Sequence, residues 1–159
     1  MSKNDQDSRP NEKKPARPSK GGIAYVNLLR AADGVKAYFE TIIAPFDITG
    51  QQYNVLRILR GAGEYGLPTL TIAERMIERD PGITRMIDRL EAKGLVWREN
   101  CPNDRRRIYC RITEKGMDLL ELLDEPVDET NAAFHGLTAA ELAQLTVLLE
   151  KVRKVHETK

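Results

Sequence analysis

Residues 84–113 read TRMIDRLEAKGLVWRENCPNDRRRIYCRIT, and two periodicities meet there. Ile83, just before the stretch, falls with Met86, Ile87 and Leu90 on one face of a helix. Gly94 suits the close of that helix, because the residue past the last turn takes a left-handed conformation at little cost to glycine. The period then changes to two. Leu95-Val96-Trp97-Arg98 reads as a strand and Pro102-Asn103-Asp104 as a turn. Ile108, Cys110 and Ile112 then alternate with Tyr109 and Arg111 as the returning strand. The stretch is therefore a helix followed by a hairpin, with Arg105, Arg106 and Arg107 directly after Asp104 at the hairpin tip.

Working back from this unit, Glu78-Arg79-Asp80-Pro81-Gly82 supplies a helix start, with Asp80 as cap and Pro81 at the first helical position. Thr71-Ile72-Ala73-Glu74 has the form of a capping box and predicts a short helix from Ile72 to about Ile77. A second box, Thr49-Gly50-Gln51-Gln52, opens a helix carrying Val55, Leu56 and Leu59, which Gly61 and Gly63 end. Earlier still, Tyr25, Leu28, Ala32, Val35, Phe39, Ile42 and Phe46 recur at alternating steps of three and four, an apolar stripe on a long helix over 23–46 that Pro45 ends. A stripe of this length needs a partner, and a second subunit is a natural one. Residues 1–21 contain three prolines and almost nothing apolar, which predicts a flexible tail.

Past the hairpin, Thr113 caps a helix with Met117, Leu120 and Leu123 on one face, which Pro126 kinks or interrupts. Thr138-Ala139-Ala140-Glu141 is a third capping box, and its helix carries Leu142, Leu145, Leu148, Leu149, Val152 and Val155. The fold class that results is mainly α with a small β-hairpin wing. A winged helix-turn-helix occupies 49–113, flanked by long helices over 22–46 and 114–156, in a single domain of residues 22–159.

The formal net charge is only +1, but it is unevenly spread. From Arg75 to Lys115 there are eleven Lys/Arg and seven Asp/Glu, whereas from Met117 to Leu145 there are seven Asp/Glu and no Lys/Arg. A basic centre that coincides with a helix-turn-helix suits a phosphate backbone. A recognition helix presents its outward side chains to base edges in the major groove, and here that face carries Gly82, Thr84, Arg85, Asp88 and Arg89. The Arg85 fork matches O6 and N7 of guanine. Thr84 suits a base or a phosphate, and Arg89 either a phosphate or a pair within its own helix with Glu91. Asp88 is read as a structural partner, because the DNA backbone repels a carboxylate.

These residues carry a resemblance. The stretch from Thr84 to Val96 is similar to the recognition helix and following strand of MarR-family transcription regulators. Asp104-Arg105-Arg106 with Ile112-Thr113 resembles that family's wing motif, D-x-R-x-x-x-x-x-L-T, with Ile112 in place of Leu. The resemblance covers residues 23–156. It implies a homodimer joined through the terminal helices and bound to a pseudo-palindromic site on double-stranded DNA; a cytoplasmic protein is the default expectation, because two cysteines are too few for a secreted disulfide framework and the N-terminus lacks a signal peptide's apolar region. It also implies that Arg106 enters the minor groove while Asp104 orients it. A narrow groove concentrates negative potential, which draws in a guanidinium. Arg105 and Arg107 then flank it and serve phosphates. The resemblance further implies a repressor released by a small aromatic or lipophilic effector, with Tyr38, Phe39 and Met117 as candidate lining, although each also reads as plain core.

Two alternatives stand beside this reading. One is a winged-helix dimer that uses its basic face to bind an acidic protein partner. The other is a repressor switched by oxidation of Cys101 and Cys110, which flank the wing and could face each other across it; Cys110 also reads as a small buried hydrophobe. His135 and His156 lack the neighbours of a metal site. No enzyme motif, cofactor signature or membrane-length apolar run is present, so the chain is expected to act as a binding protein.

Overall fold

A computed structural model of the chain describes residues 19–78, 81–101, 104–128 and 134–157, with side chains for all of these except 101–107, 128, 156 and 157. Most of the expected tail lies outside the described residues, as do Asp80, Pro102, Asn103 and the side chain of His156. The chain forms two compact units, one up to Asp33 and one from Gly34 onward. In the first, the Ser19 hydroxyl accepts the Gly22 amide at 3.0 Å and so caps helix α1, which spans Lys20–Ile43. Within that unit Ile23, Tyr25, Val26, Leu28 and Leu29 are exposed.

The second unit contains every other element. A 3-10 turn, Ala44–Phe46, takes up Pro45, so α1 ends three residues before the expected boundary. Helix α2, Gly50–Ala62, opens on the predicted box: Thr49 Oγ1 accepts the Gln52 amide at 3.3 Å, and Gln52 Oε1 accepts the Thr49 amide at 3.1 Å. Gly61 lies inside this helix, and Gly63 ends it. After a second 3-10 turn, Gly63–Tyr65, come strand β1 (Leu67–Pro68), helix α3 (Thr69–Arg75), helix α4 (Ile83–Ala92), strands β2 (Val96–Cys101) and β3 (Asp104–Ile112), and helices α5 (Glu114–Asp128) and α6 (Ala139–Glu157).

Several boundaries correct the sequence reading. The Thr71 capping box does not form, because α3 starts at Thr69 behind Pro68, whose fixed extended backbone starts the helix before Thr71. Helix α4 starts at Ile83 with Gly82 as its cap residue, so Pro81 sits in the preceding turn rather than at the first helical position. Helix α5 reaches Asp128, so Pro126 falls in its last turns and does not interrupt it. Strand β1 has only two residues and was not expected; its pairing with β3 makes a three-stranded antiparallel sheet in the order β1-β3-β2.

The core draws on the predicted apolar faces of α2, α3, α4 and α5, but takes no residue from that of α6. Val55, Leu56 and Leu59 of α2, Ile72 of α3, Ile83, Met86, Ile87 and Leu90 of α4, and Leu120 and Leu123 of α5 are buried together with Val96 and Cys110 of the sheet. Each of the larger side chains contributes roughly 1.5–3 kcal/mol by leaving water. This packing fixes the rotation of α4 about its own axis, and so fixes which of its residues face outward.

Candidate nucleic-acid interface

With Ile83, Met86, Ile87 and Leu90 turned inward, the remaining surface of α4 divides into two stripes. Gly82, Arg85 and Arg89 line a cleft of about 440 Å³ shared with Lys36, Glu40 and Gln51. Thr84, Asp88 and Glu91 lie on the other side, toward β2. Arg85 and Arg89 are both exposed. Among the described residues neither is held in an ion pair, which corrects the alternative that Arg89 pairs with Glu91.

Glu91 and Asp88 are instead taken by Arg98 of β2. Its Nη2 donates to Asp88 Oδ1 at 2.6 Å and to the Thr84 carbonyl at 3.3 Å, and its Nη1 donates to Glu91 Oε2 at 2.7 Å. The Arg98 amide donates to Glu91 Oε1 at 3.2 Å. Burial works against the charge on Arg98, but the hydrogen bond to Asp88 and the fields of Glu91 and Asp88 outweigh it, leaving its pKa raised. Asp88 is thus a structural partner, as the sequence suggested. Arg98 was missed because its partners lie across a turn, at a separation that no helical spacing rule covers.

The C-terminal end of α4 is anchored, and the segment ahead of the helix is tied down as well. At its C-terminal end, Gly94 has φ +71°, its amide donates to the Glu91 carbonyl at 2.8 Å, and the Leu95 amide donates to the Leu90 carbonyl at 3.0 Å. This is the Schellman arrangement, with Leu90 and Leu95 both buried. Lys93 Nζ reaches Asp47, 2.9 Å from its carboxylate and also bonded to its carbonyl, while Lys115 Nζ donates to the Lys93 carbonyl at 2.8 Å. Ahead of α4, Glu78 accepts from Lys36 at 2.6 Å and from Gln51 at 3.2 Å, ties to α1 and α2 that hold its carboxyl below the usual range.

The wing forms as expected, from paired β2 and β3. Its base is braced on the face opposite Arg98. Arg111 Nε lies 2.9 Å from Glu99 Oε2, its guanidinium sits 5.5 Å from the Trp97 ring centre, and it also donates to the Glu64 carbonyl. The side chains of Asp104, Arg105, Arg106 and Arg107 lie outside the described residues, although their backbone belongs to β3. The register opposes Cys110 to Arg98 and Cys101 to Asp104. The two cysteines are therefore three strand positions apart along β2, ~10 Å, beyond the reach of a disulfide. This overturns a disulfide across the hairpin as the switch. Cys110 is fully buried, with Sγ 3.6 Å from Thr69 Oγ1.

Phe39 packs edge-to-face on Tyr53, 5.1 Å between ring centres. Neither it nor Tyr38 nor Met117 lines the cleft beside α4 or the second cleft, between Phe46, Lys93, Leu95 and Leu122. Among the described residues, no helix is long and apolar enough to cross a membrane.

A recognition helix rotated by its core, anchored at its C-terminal end and followed by a braced hairpin defines a winged helix-turn-helix transcription regulator. Comparison with known proteins agrees. The MarR family model matches residues 48–108. The HTH-type transcriptional regulator FarR of Neisseria gonorrhoeae is 31% identical over 140 residues, 87% of this chain and 94% of FarR. The chain belongs to the MarR family. Among solved structures, a MarR transcription factor from Planctomyces limnophilus is 40% identical, with a TM-score of 0.66 over 85% of this chain and 98% of its own. BpsR of Bordetella bronchiseptica, whose DNA binding is regulated by 6-hydroxynicotinic acid, is 26% identical, with a TM-score of 0.74 over 82% of this chain and 98% of its own.

Proposed function

We propose that the chain is a sequence-specific repressor that binds double-stranded DNA as a homodimer and is released by a small aromatic effector. The observation that carries the DNA-binding part is the state of Arg85 and Arg89: exposed, outside any ion pair among the described residues, and set on a helix whose other faces are occupied. Arg85 reads a base, Arg89 meets phosphate, and Thr84 and Gly82 allow close approach of the helix to the groove. Arg106, oriented by Asp104, enters the minor groove, with Arg105 and Arg107 on flanking phosphates.

Exposed apolar side chains support the dimer. On α6 Val147, Leu148, Val152 and Val155 are 50–69% exposed, more apolar surface than an isolated helix face keeps in water without a partner. Twofold symmetry then sets two recognition helices ~34–36 Å apart along the duplex. The effector reading rests on the likeness to BpsR; Tyr38, Phe39 and Met117 line neither of the two clefts described above and are not advanced as its lining.

Selection of bound fragments from random duplex DNA tests the proposal. A pseudo-palindromic consensus is expected, with log affinity falling linearly as log salt rises. Recovery of no consensus, together with a flat salt response, would refute DNA recognition and favour a protein partner.

A further inference from the structure

Asp88 and Glu91 place two carboxylates on exposed positions of the recognition helix, on the stripe toward β2 that borders the one carrying Arg85 and Arg89. A duplex seated against Arg85 and Arg89 brings phosphates toward these carboxylates, and like charges brought together at an interface weaken association. Arg98 answers both. Thr84, Asp88 and Glu91 follow one another at steps of four and three, so they form a single stripe that one planar guanidinium can span. It bonds to Asp88 at 2.6 Å, Glu91 at 2.7 Å and the Thr84 carbonyl at 3.3 Å. The side chain is 23% exposed and its charged end is turned onto α4.

We propose that Arg98 is a positioning residue for DNA binding: it masks the charge of Asp88 and Glu91, and it does not itself contact the duplex. This rests on the DNA-binding reading above. It differs from the ordinary expectation for an arginine in a basic wing, which is a phosphate contact that would be lost together with the residue and could not be restored by changing its partners.

The test uses the full chain and a selected duplex, with dissociation constants read by fluorescence anisotropy across a salt series. Asp88→Asn with Glu91→Gln turns a cluster of net negative charge into one of net positive charge, and is expected to tighten binding about 3- to 10-fold. Arg98→Met leaves both carboxylates bare and is expected to weaken it about 30-fold or more. Combining all three changes removes every charge in the cluster, and affinity is expected to return to within about 3-fold of the wild type. A triple variant as weak as Arg98→Met alone overturns the proposal, because Arg98 then acts on the duplex directly. Weakened binding by the Asp88/Glu91 double variant overturns it as well. Thermal melting verifies that folded proteins are compared, and if Arg98→Met does not fold, the double variant alone decides. A wild type that binds no duplex in a salt-dependent way defeats the underlying reading instead, so the two failures are distinct.

Discussion

Replacing Gly116 by alanine should destabilise the protein, although alanine is the better helix former. Gly116 is buried in the first turn of α5, where its amide donates to Thr113 Oγ1 at 3.0 Å. A Cβ built there falls 2.5 Å from the Leu95 carbonyl oxygen and 2.7 Å from Ile112 Cγ1. The first of these is backbone at the junction of α4 and β2, and it cannot swing aside. Overpacking of this kind costs ~1–3 kcal/mol, against a gain of ~1 kcal/mol from the helix preference of alanine over glycine. The net expectation is a loss of up to about 2 kcal/mol, which lowers Tm by up to roughly 8 °C for a chain of this size. Gly61→Ala is the control. That position is also helical but exposed, with nothing within 4 Å of the added carbon. Here the backbone effect acts alone, and stability should rise by ~0.5–1 kcal/mol. Urea unfolding followed by circular dichroism, at one protein concentration because an oligomer's stability depends on it, measures both. Equal shifts in the same direction would show that the close approach at Gly116 does not govern its stability.

Thr49→Ala removes a cap whose two hydrogen bonds are both present, and should cost about 1 kcal/mol in the same urea assay. Asp124 accepts two hydrogen bonds from Arg60, at 2.8 and 2.9 Å, and those bonds hold its pKa below the ordinary carboxylate value. Stability from this pair is therefore complete above the unfolded-state pKa and fades as pH falls through the lower folded value. With Asp124 46% exposed, Asp124→Asn should cost no more than ~1 kcal/mol at neutral pH, and its difference from the wild type should vanish in strong acid. Arg106→Ala should abolish tight operator binding while sedimentation still reports the dimer; wild-type affinity would remove the minor-groove role. Arg85→Ala should relax preference at one base position per half-site, whereas uniform weakening on all sequences would make it a phosphate contact.

The parts of the fold that were readable in the sequence are those whose cause is local. The Thr49 box and the Gly94 close were legible because each motif satisfies its own backbone within a few residues. The inward face of α4 was legible because four apolar residues share one period. Strand β1 was not, because two residues ending in proline carry no alternation, and their pairing with Tyr109 and Cys110 is decided forty residues away. The start of α4 was misplaced because an Asp-Pro pair resembles a helix entry, whereas the chain turns once more through Pro81 and Gly82 before it coils. Arg98 was opaque for a related reason. Its partners are set by how the hairpin folds back on α4, and sequence spacing says nothing about that return path.

The tethers at the tail of α4 have a mechanical consequence. Lys93, Lys115 and the Schellman close all act on its last turn, so that turn serves as a pivot. A helix of ten residues is ~15 Å long, and a tilt of about 5° at the pivot sweeps its opening turn through ~1 Å, about the tolerance within which a hydrogen bond is made or lost. Arg85 rides near the far end of this lever. A disturbance of Asp47, in the bend that leaves the first long helix, is thereby magnified at the residue proposed to read a base.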